Sequence, residues 1–151
     1  MNRLLIIILI AVMLFISGCD FDDADTLYRK EIRNFMYEIA LDFSLGNTVG
    51  IMDKVHWNYL HNGDISYHFN QELINRMGRF SLLDIDVIYI ELNGDYALVH
   101  TIDRYSSSIE NASYNEPETK GWMSYLKYER DGWMIYGNQQ WISFRTQSES
   151  E

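Results

Sequence analysis

The sequence predicts an α+β fold in one domain, with a long N-terminal helix and shorter helices packed on a four-stranded antiparallel sheet. Between Leu27 and Leu45, apolar residues recur every three or four positions, as they do on one face of a helix. After Phe80, two pairs of segments rich in β-branched and aromatic residues follow, each pair interrupted by a turn signal. Helices that precede a run of hairpins are typical of a helical layer on one face of a sheet.

The first helix is predicted over residues 27–45. Gly46 and Asn47 follow it, and both residue types commonly end helices. Shorter helices are predicted over 49–55 and 70–79. The apolar face of the first helix is formed by Tyr28, Ile32, Phe35, Met36, Ile39 and Phe43.

Four strands are predicted after the helices. The segments LLDIDVIYIEL and YALVHTIDRY are joined by Asn93-Gly94-Asp95, and Asn-Gly is typical of a type I′ hairpin turn. The segments GWMSYLKYER and WMIYGNQQWISF flank Asp131-Gly132 and predict a second hairpin. Residues 106–120 are predicted to be a polar connection between the two hairpins.

The N-terminus has the pattern of a secretory signal peptide. Arg3 precedes thirteen uninterrupted apolar residues, Leu4 to Ile16, and the small residues Ser17 and Gly18 follow. A membrane-spanning helix needs about 20 apolar residues, so the run is too short for a spanning anchor. Residues 1–18 are therefore predicted to be a cleaved signal peptide.

The stretch Ile16-Ser17-Gly18-Cys19 resembles the lipobox of bacterial lipoproteins, and Cys19 is the only cysteine in the chain. The resemblance implies cleavage between Gly18 and Cys19 and attachment of a diacylglycerol, often with a further acyl group such as palmitate. Two or three acyl chains anchor a protein stably, whereas one holds it only marginally. The alternative is an ordinary secreted protein with a cysteine near the cut.

The resemblance also implies a location in the cell envelope. Asp20 resembles the signal that retains lipoproteins at the periplasmic face of the inner membrane; in a Gram-positive cell the location would be the outer surface. Residues 19–25 are predicted to be a lipidated acidic tether, 26–144 the folded domain, and 145–151 a polar tail. Removing Arg3 leaves 11 basic against 22 acidic residues, a balance that excludes nucleic acid as a partner.

The two predicted hairpins resemble the nuclear transport factor 2-like superfamily over about residues 26–144. In the first hairpin, a Gly-Asp pair precedes a strand whose alternate residues point inward, as in members of that superfamily. In the last hairpin, a Gly-Trp pair resembles the one that the superfamily commonly carries. The residues that carry the resemblance are Gly94, Asp95, Ala97, Val99, Gly132, Trp133 and Ile135. It implies a cone-shaped domain with a strongly curved sheet, and a cystatin-like helix-on-sheet domain is the alternative. The superfamily contains both enzymes and binding proteins, so function depends on the site.

One strand carries the candidate interior site. If Ala97 and Val99 point inward, a period of two also places Thr101, Asp103 and Tyr105 inside. Asp103 with Tyr105 is then the nearest approach to a proton-transfer pair. The opposite face is equally amphipathic, so the pattern does not decide which face is buried, and its place near a strand end favours a solvent-exposed Asp103.

Tyr125 and Trp133 are further candidate pocket residues, because their rings combine an apolar body with a polar tip. The alternative interpretation is structural: such rings fill the core or form a dimer face. The spacing of His56, His61 and His68 is not that of a metal site, and no cofactor, metal or catalytic residue is predicted.

The predicted function is a membrane-anchored lipoprotein whose domain binds a partner protein or a small apolar ligand without catalysis. The alternative is a small lyase or isomerase that uses Asp103 and a tyrosine in the cone. A homodimer formed through the sheet is a third option.

Overall fold

The computed structural model describes residues 23–141. The predicted signal peptide, the lipidation and cleavage site at Gly18 and Cys19, and the polar tail 145–151 lie outside the described residues. The helices are α1 (Ala24–Ser44), α2 (Thr48–Met52) and α3 (Ser66–Arg79). The strands are β1 (Leu60–His61), β2 (Asp64–Ile65), β3 (Leu82–Asn93), β4 (Tyr96–Ser106), β5 (Asn111–Glu116), β6 (Tyr125–Glu129) and β7 (Gly132–Ile135).

Helix α1 begins after Asp23, whose carboxylate accepts a hydrogen bond from the backbone N–H of Thr26 at 2.7 Å. It ends at Ser44, before Gly46 adopts a positive φ of 69°. One face of the helix is buried on β3, and Arg33 donates a hydrogen bond to the carbonyl of Val87 at 2.8 Å. The buried residues of that face are Ile32, Met36, Ile39, Ala40 and Phe43.

The main sheet has five antiparallel strands rather than four. Strand β4 pairs with β3 along one side, and with β6 and β5 in succession along the other. The additional strand β5 lies in the predicted polar connection, where Ala112 and Tyr114 alternate with exposed polar residues. Ile88 is an extra residue in β3, because Val87 pairs with Thr101 and Tyr89 with His100. A bulge of this kind bends a strand and increases its twist.

The first hairpin turn also differs from the prediction. Asn93 pairs with Tyr96 in the ladder, so the two turn residues are Gly94 and Asp95. Gly94 has φ 58°, and no positive φ is recorded for Asp95. Glycine at the first turn position fits a type II′ turn, not the type I′ turn expected from Asn-Gly. Asparagine therefore remains in the strand.

The core lies between the helices and the inner face of the sheet. It includes Phe69 and Leu73 from α3, Ile90 from β3 and Leu126 from β6, each no more than 2% exposed. Every core residue falls between Ile32 and Ile135, so residues 20–151 contain the whole described core. The α+β single-domain prediction is confirmed.

Candidate ligand-binding site

The inner face of β4 and β5 carries polar side chains into the core. Thr101, Asp103 and Tyr105 are 3%, 1% and 1% exposed, and they continue the inward face begun by Ala97 and Val99. Glu116 lies directly opposite Thr101 in the ladder, and is also buried. Cross-strand partners share a face of the sheet, so three polar residues and a tyrosine meet inside the domain.

Asp103 is a buried carboxyl rather than the exposed strand-end residue that the sequence favoured. The Thr101 hydroxyl donates a hydrogen bond to its Oδ1 at 2.7 Å. Burial raises the pKa of Asp103 to about 6, because the charged form is poorly solvated there. The bond from Thr101 opposes the increase, the negative charge of Glu116 adds to it, and the positive charge of Arg76 opposes it.

Arg76, from α3, is the cation of this interior. Its Nε donates a hydrogen bond to Glu72 Oε1 at 2.7 Å. Its guanidinium carbon lies 4.8 Å from the ring centres of both Tyr105 and Tyr114, and 5.1 Å from that of Trp122. Three rings within 6 Å provide cation–π stabilisation. The Nη1 atom is buried and has no hydrogen-bond partner among the described residues.

Other buried polar atoms near Arg76 are similarly unpaired. Glu116 Oε2 accepts backbone hydrogen bonds from Lys120 at 2.8 Å and Gly121 at 2.6 Å, whereas Oε1 has no partner within the described chain. The Trp122 indole Nε1 also has no partner there. The Tyr105 hydroxyl makes no well-aligned hydrogen bond, but it interacts with the Arg76 guanidinium, which opposes the increase that burial causes in the pKa of Tyr105. Buried polar atoms in proteins are nearly always paired with protein or water. Such a concentration of unpaired atoms suggests a binding site.

Two surface recesses are lined by Arg76 and by Trp122, and a third, of about 690 Å³, is lined by Tyr105. The arginine recess, of about 580 Å³, lies between α3 and β5 and is lined by Arg76, Tyr114, Phe80, Glu72, Asn75 and Lys120. The histidine recess, of about 470 Å³, is lined by His61, Tyr59, Phe69, Trp122, and again by Glu72 and Lys120. Both volumes fall within the range of small-molecule pockets, roughly 300 to 1,000 Å³.

The structure brings together three of the five candidate pocket residues. Thr101, Asp103 and Tyr105 lie in the interior cluster. Tyr125 lies on β6 with its ring centre 5.6 Å from that of His61, which lines the histidine recess. Trp133 lies elsewhere, with its ring centre 5.4 Å from that of Tyr28, at the start of α1.

Sequence reasoning missed Arg76 and Glu116. Arg76 is spaced three residues from Leu73 and seven from Phe69, on the buried face of α3. A charged residue at an apolar position of a helix was the available signal. Glu116 ends the alternating pattern of Ala112 and Tyr114, in a segment that the sequence predicts to be a polar connection.

The three histidines of the middle segment occupy different surroundings. His56 Nε2 is 3.1 Å from Glu129 Oε1, and His68 Nδ1 is 3.5 Å from Asp64 Oδ1. Burial lowers the pKa of His61, whose Nε2 donates to the Lys120 carbonyl. Within residues 23–141, no group of three or more His, Cys, Asp or Glu side chains is arranged to hold a metal ion.

No helix in the described part of the chain combines the length and apolar character needed to cross a membrane.

No protein-family model matches the sequence, and no curated protein matches it. Solved structures do resemble it. Bd1075 of Bdellovibrio bacteriovorus is 13% identical with a TM-score of 0.58; the match covers 77% of this chain but 42% of that one. A variant of Rv3472, a protein of unknown function from Mycobacterium tuberculosis, is 10% identical with a TM-score of 0.56, over 80% and 74% of the two chains.

A third structure, named Rd1NTF2_05 with long sheet, is 10% identical with a TM-score of 0.51, over 71% of this chain and 92% of that one. At these identities the likeness shows the fold alone. The chain has the nuclear transport factor 2-like fold, as the sequence resemblance implied, and it spans less than half the length of Bd1075.

Proposed function

We propose that this protein is a lipid-anchored protein of the bacterial cell envelope whose domain binds a small ligand without catalysis. The binding site is the interior around Arg76, reached through the arginine and histidine recesses. A single observation carries the proposal. Two buried donors without a hydrogen-bond partner in the described chain, Arg76 Nη1 and Trp122 Nε1, belong to residues that line recesses of ligand size, and the Arg76 guanidinium carbon lies 5.1 Å from the Trp122 ring centre.

The chemistry of these atoms favours a ligand with polar groups over the small apolar ligand that composition suggested. A buried donor or acceptor without a partner costs about 1 to 3 kcal/mol. A ligand that supplies hydrogen bonds to several such atoms recovers that free energy on binding. An apolar ligand would leave them unpaired, so it would gain only from contact with the rings.

The anchor is supported by the lipobox-like stretch that ends at Cys19 and by the short apolar run before it. A lipid at Cys19 would place the start of α1 at Ala24 within a few residues of the membrane. Asp20 favours retention at the periplasmic face of the inner membrane. In a Gram-positive cell the lipid would instead hold the protein at the outer cell surface.

Native mass spectrometry tests the binding function. The full chain, expressed in a bacterial host and extracted in mild detergent, is compared with Arg76→Met, which keeps the length of the stem but removes the cation. The matched control is Arg104→Met, because Arg104 pairs with Asp84 on the outer face of the sheet. A small-molecule adduct on the wild type and the control, absent from Arg76→Met, is expected. Folded wild-type protein with no adduct would contradict the proposal.

One observation favours the alternative of a small lyase or isomerase. Asp103 is buried beside Tyr105 and has a pKa of about 6, which suits a general acid or base near neutrality. However, Thr101 occupies one of its oxygens, and Asp103 lines neither the arginine recess nor the histidine recess. If this alternative holds, the recovered ligand is transformed by the wild type and not by Asp103→Asn. Recovery of unchanged ligand from both proteins counts against it.

A further inference from the structure

An ion pair separates the two recesses. Lys120 Nζ lies 2.8 Å from Glu72 Oε1, the same oxygen that accepts the hydrogen bond from Arg76 Nε. Glu72 and Lys120 both line the arginine recess and the histidine recess. Their side chains are 31% and 50% exposed, so the pair lies at the surface. An exposed pair of this kind contributes only about 0 to 1 kcal/mol and opens readily.

Behind this pair lie two unpaired donors. Arg76 Nη1 belongs to a lining residue of the arginine recess, and Trp122 Nε1 to a lining residue of the histidine recess. The guanidinium is 5.1 Å from the Trp122 ring centre, so the two donors belong to one neighbourhood that opens on both sides of Lys120. The lining residues that the two recesses share are Glu72, Asn75 and Lys120, and the ion pair of this group lies where the recesses meet.

The charge of the neighbourhood decides among ligand classes. Arg76 already occupies the cation–π position between Tyr105, Tyr114 and Trp122, so a second cation would be repelled. A neutral ligand would bring no charge to the Arg76 guanidinium. Among the described residues, Glu72 would then remain the only carboxylate hydrogen-bonded to it. An anion gains charge-assisted hydrogen bonds, about twice as strong as neutral ones. The linings of the two recesses hold the cations Arg76, Arg79 and Lys120 and the carboxylates Asp64 and Glu72, and this excess of one positive charge favours a single negative charge on the ligand over a double one.

We infer that the Glu72–Lys120 pair is a latch over one composite site, and that the site binds a small aromatic or apolar monocarboxylate. The ligand carboxylate replaces Glu72 as the partner of Lys120 and receives hydrogen bonds from Arg76 Nη1 and Trp122 Nε1. Its apolar part contacts Tyr59, Phe69 and Tyr114, which line the two recesses. The inference rests on the proposed binding function and adds the ligand class and the element that opens.

Four probes test the inference: benzoate, its neutral isostere benzamide, the cation benzylamine, and inorganic phosphate. Their dissociation constants are measured by isothermal titration calorimetry on the full chain in detergent, for the wild type, Glu72→Gln, Lys120→Met and the control Arg104→Met. Both test residues are partly exposed, so the fold is expected to survive, and near-ultraviolet circular dichroism checks it. The decisive quantity is the ratio of the benzamide to the benzoate dissociation constant.

In the wild type we expect benzoate to bind about tenfold more tightly than benzamide, because a charge-assisted bond gains roughly 1.4 kcal/mol or more. Glu72→Gln removes the competing carboxylate and is expected to increase the ratio about fivefold. Lys120→Met removes a cation that binds the ligand and is expected to lower the ratio about tenfold. Arg104→Met is expected to leave it unchanged.

Several outcomes would overturn the inference. Equal binding of benzoate and benzamide, tighter binding of benzylamine or phosphate, or a ratio that neither test variant changes would each refute the carboxylate site. In those cases a native ligand seen by mass spectrometry would still uphold the binding function. If no probe binds and the folded wild type carries no adduct, both the inference and the proposed function fail.

Discussion

Asp103→Asn is expected to reduce the dependence of stability on pH, and the magnitude follows from the burial of the carboxyl. The pKa of Asp103 is raised from its usual 3.8 to about 6, mainly by burial. At about 1.4 kcal/mol for each tenfold change in the ionisation equilibrium, the difference corresponds to about 3 kcal/mol. Near neutrality the folded state therefore contains a charge that costs about 3 kcal/mol relative to the unfolded chain.

The sign of this pH dependence follows from which state, folded or unfolded, binds more protons. Below pH 4 the carboxyl is protonated in both states and the cost is absent. Between pH 4 and 6 the folded state binds more protons, so its stability falls as the pH rises, and above 6 the full cost is present. Asparagine has no such titration and can still accept the hydrogen bond from Thr101 at its Oδ1. When the pH is raised from 4.5 to 7.5, the unfolding free energy of Asp103→Asn minus that of the wild type should therefore increase by about 2 kcal/mol.

Urea unfolding of residues 20–151 at the two pH values measures this difference. The control is Asp53→Asn, because Asp53 is exposed and makes no ion pair with any described residue. Its difference from the wild type should be the same at both pH values. An Asp103→Asn difference that does not change with pH, or that changes in the opposite sense, would refute the reasoning.

Three further predictions concern the backbone, the cluster and the anchor. Gly137→Ala should lower the unfolding free energy measured in urea by more than about 2 kcal/mol, because Gly137 has φ 86° and a Cβ there would lie 2.2 Å from the Leu60 carbonyl oxygen. The control is Gly78→Ala in α3, where a Cβ would meet nothing within 4 Å, and it should raise the unfolding free energy by about 0.5 to 1 kcal/mol. Glu116→Ala should lower the unfolding free energy by about 2 to 4 kcal/mol, because it leaves two backbone N–H groups unpaired. Its control is Glu118→Ala at an exposed position, which should stay within about 0.5 kcal/mol of the wild type. Cys19→Ser should abolish labelling by radioactive palmitate and release the protein from the membrane fraction, whereas Ser17→Ala should do neither.

Local pattern was sufficient for much of the fold. The apolar spacing from Ile32 to Phe43 indicated a helix, and two turn signals indicated hairpins. The strand β5 was missed because its outward residues are polar and because the loop that joins it to β4, residues 107–110, contains no Gly, Pro, Asn or Asp to signal a hairpin turn. The turn type was missed because the choice between Asn93 and Gly94 as its first residue depends on the register of the whole ladder.

The site was predictable only in part, for a related reason. A period of two placed Thr101, Asp103 and Tyr105 on one face, but Leu98 on the other face is also buried, so composition could not assign the inside. The face is decided by α1, α3 and β5, which cover it. The charged neighbours of Asp103, Glu116 and Arg76, come from β5 and α3, and no pattern within one strand can reveal Arg76, which is 27 residues from Asp103 in the chain.

The interior is difficult to explain by stability alone. Apolar residues of similar volume in place of a buried charged group are often neutral or stabilising, and here Arg76, Asp103 and Glu116 share one core. The cost at Asp103 alone, about 3 kcal/mol near neutrality, is a large fraction of the roughly 5 to 15 kcal/mol that keep a domain folded. A core selected only for packing would gain by losing the buried charge of Asp103. Arg76, whose Nη1 is unpaired in the described chain and which lines the arginine recess, is better explained by a ligand that pairs with it than by the fold.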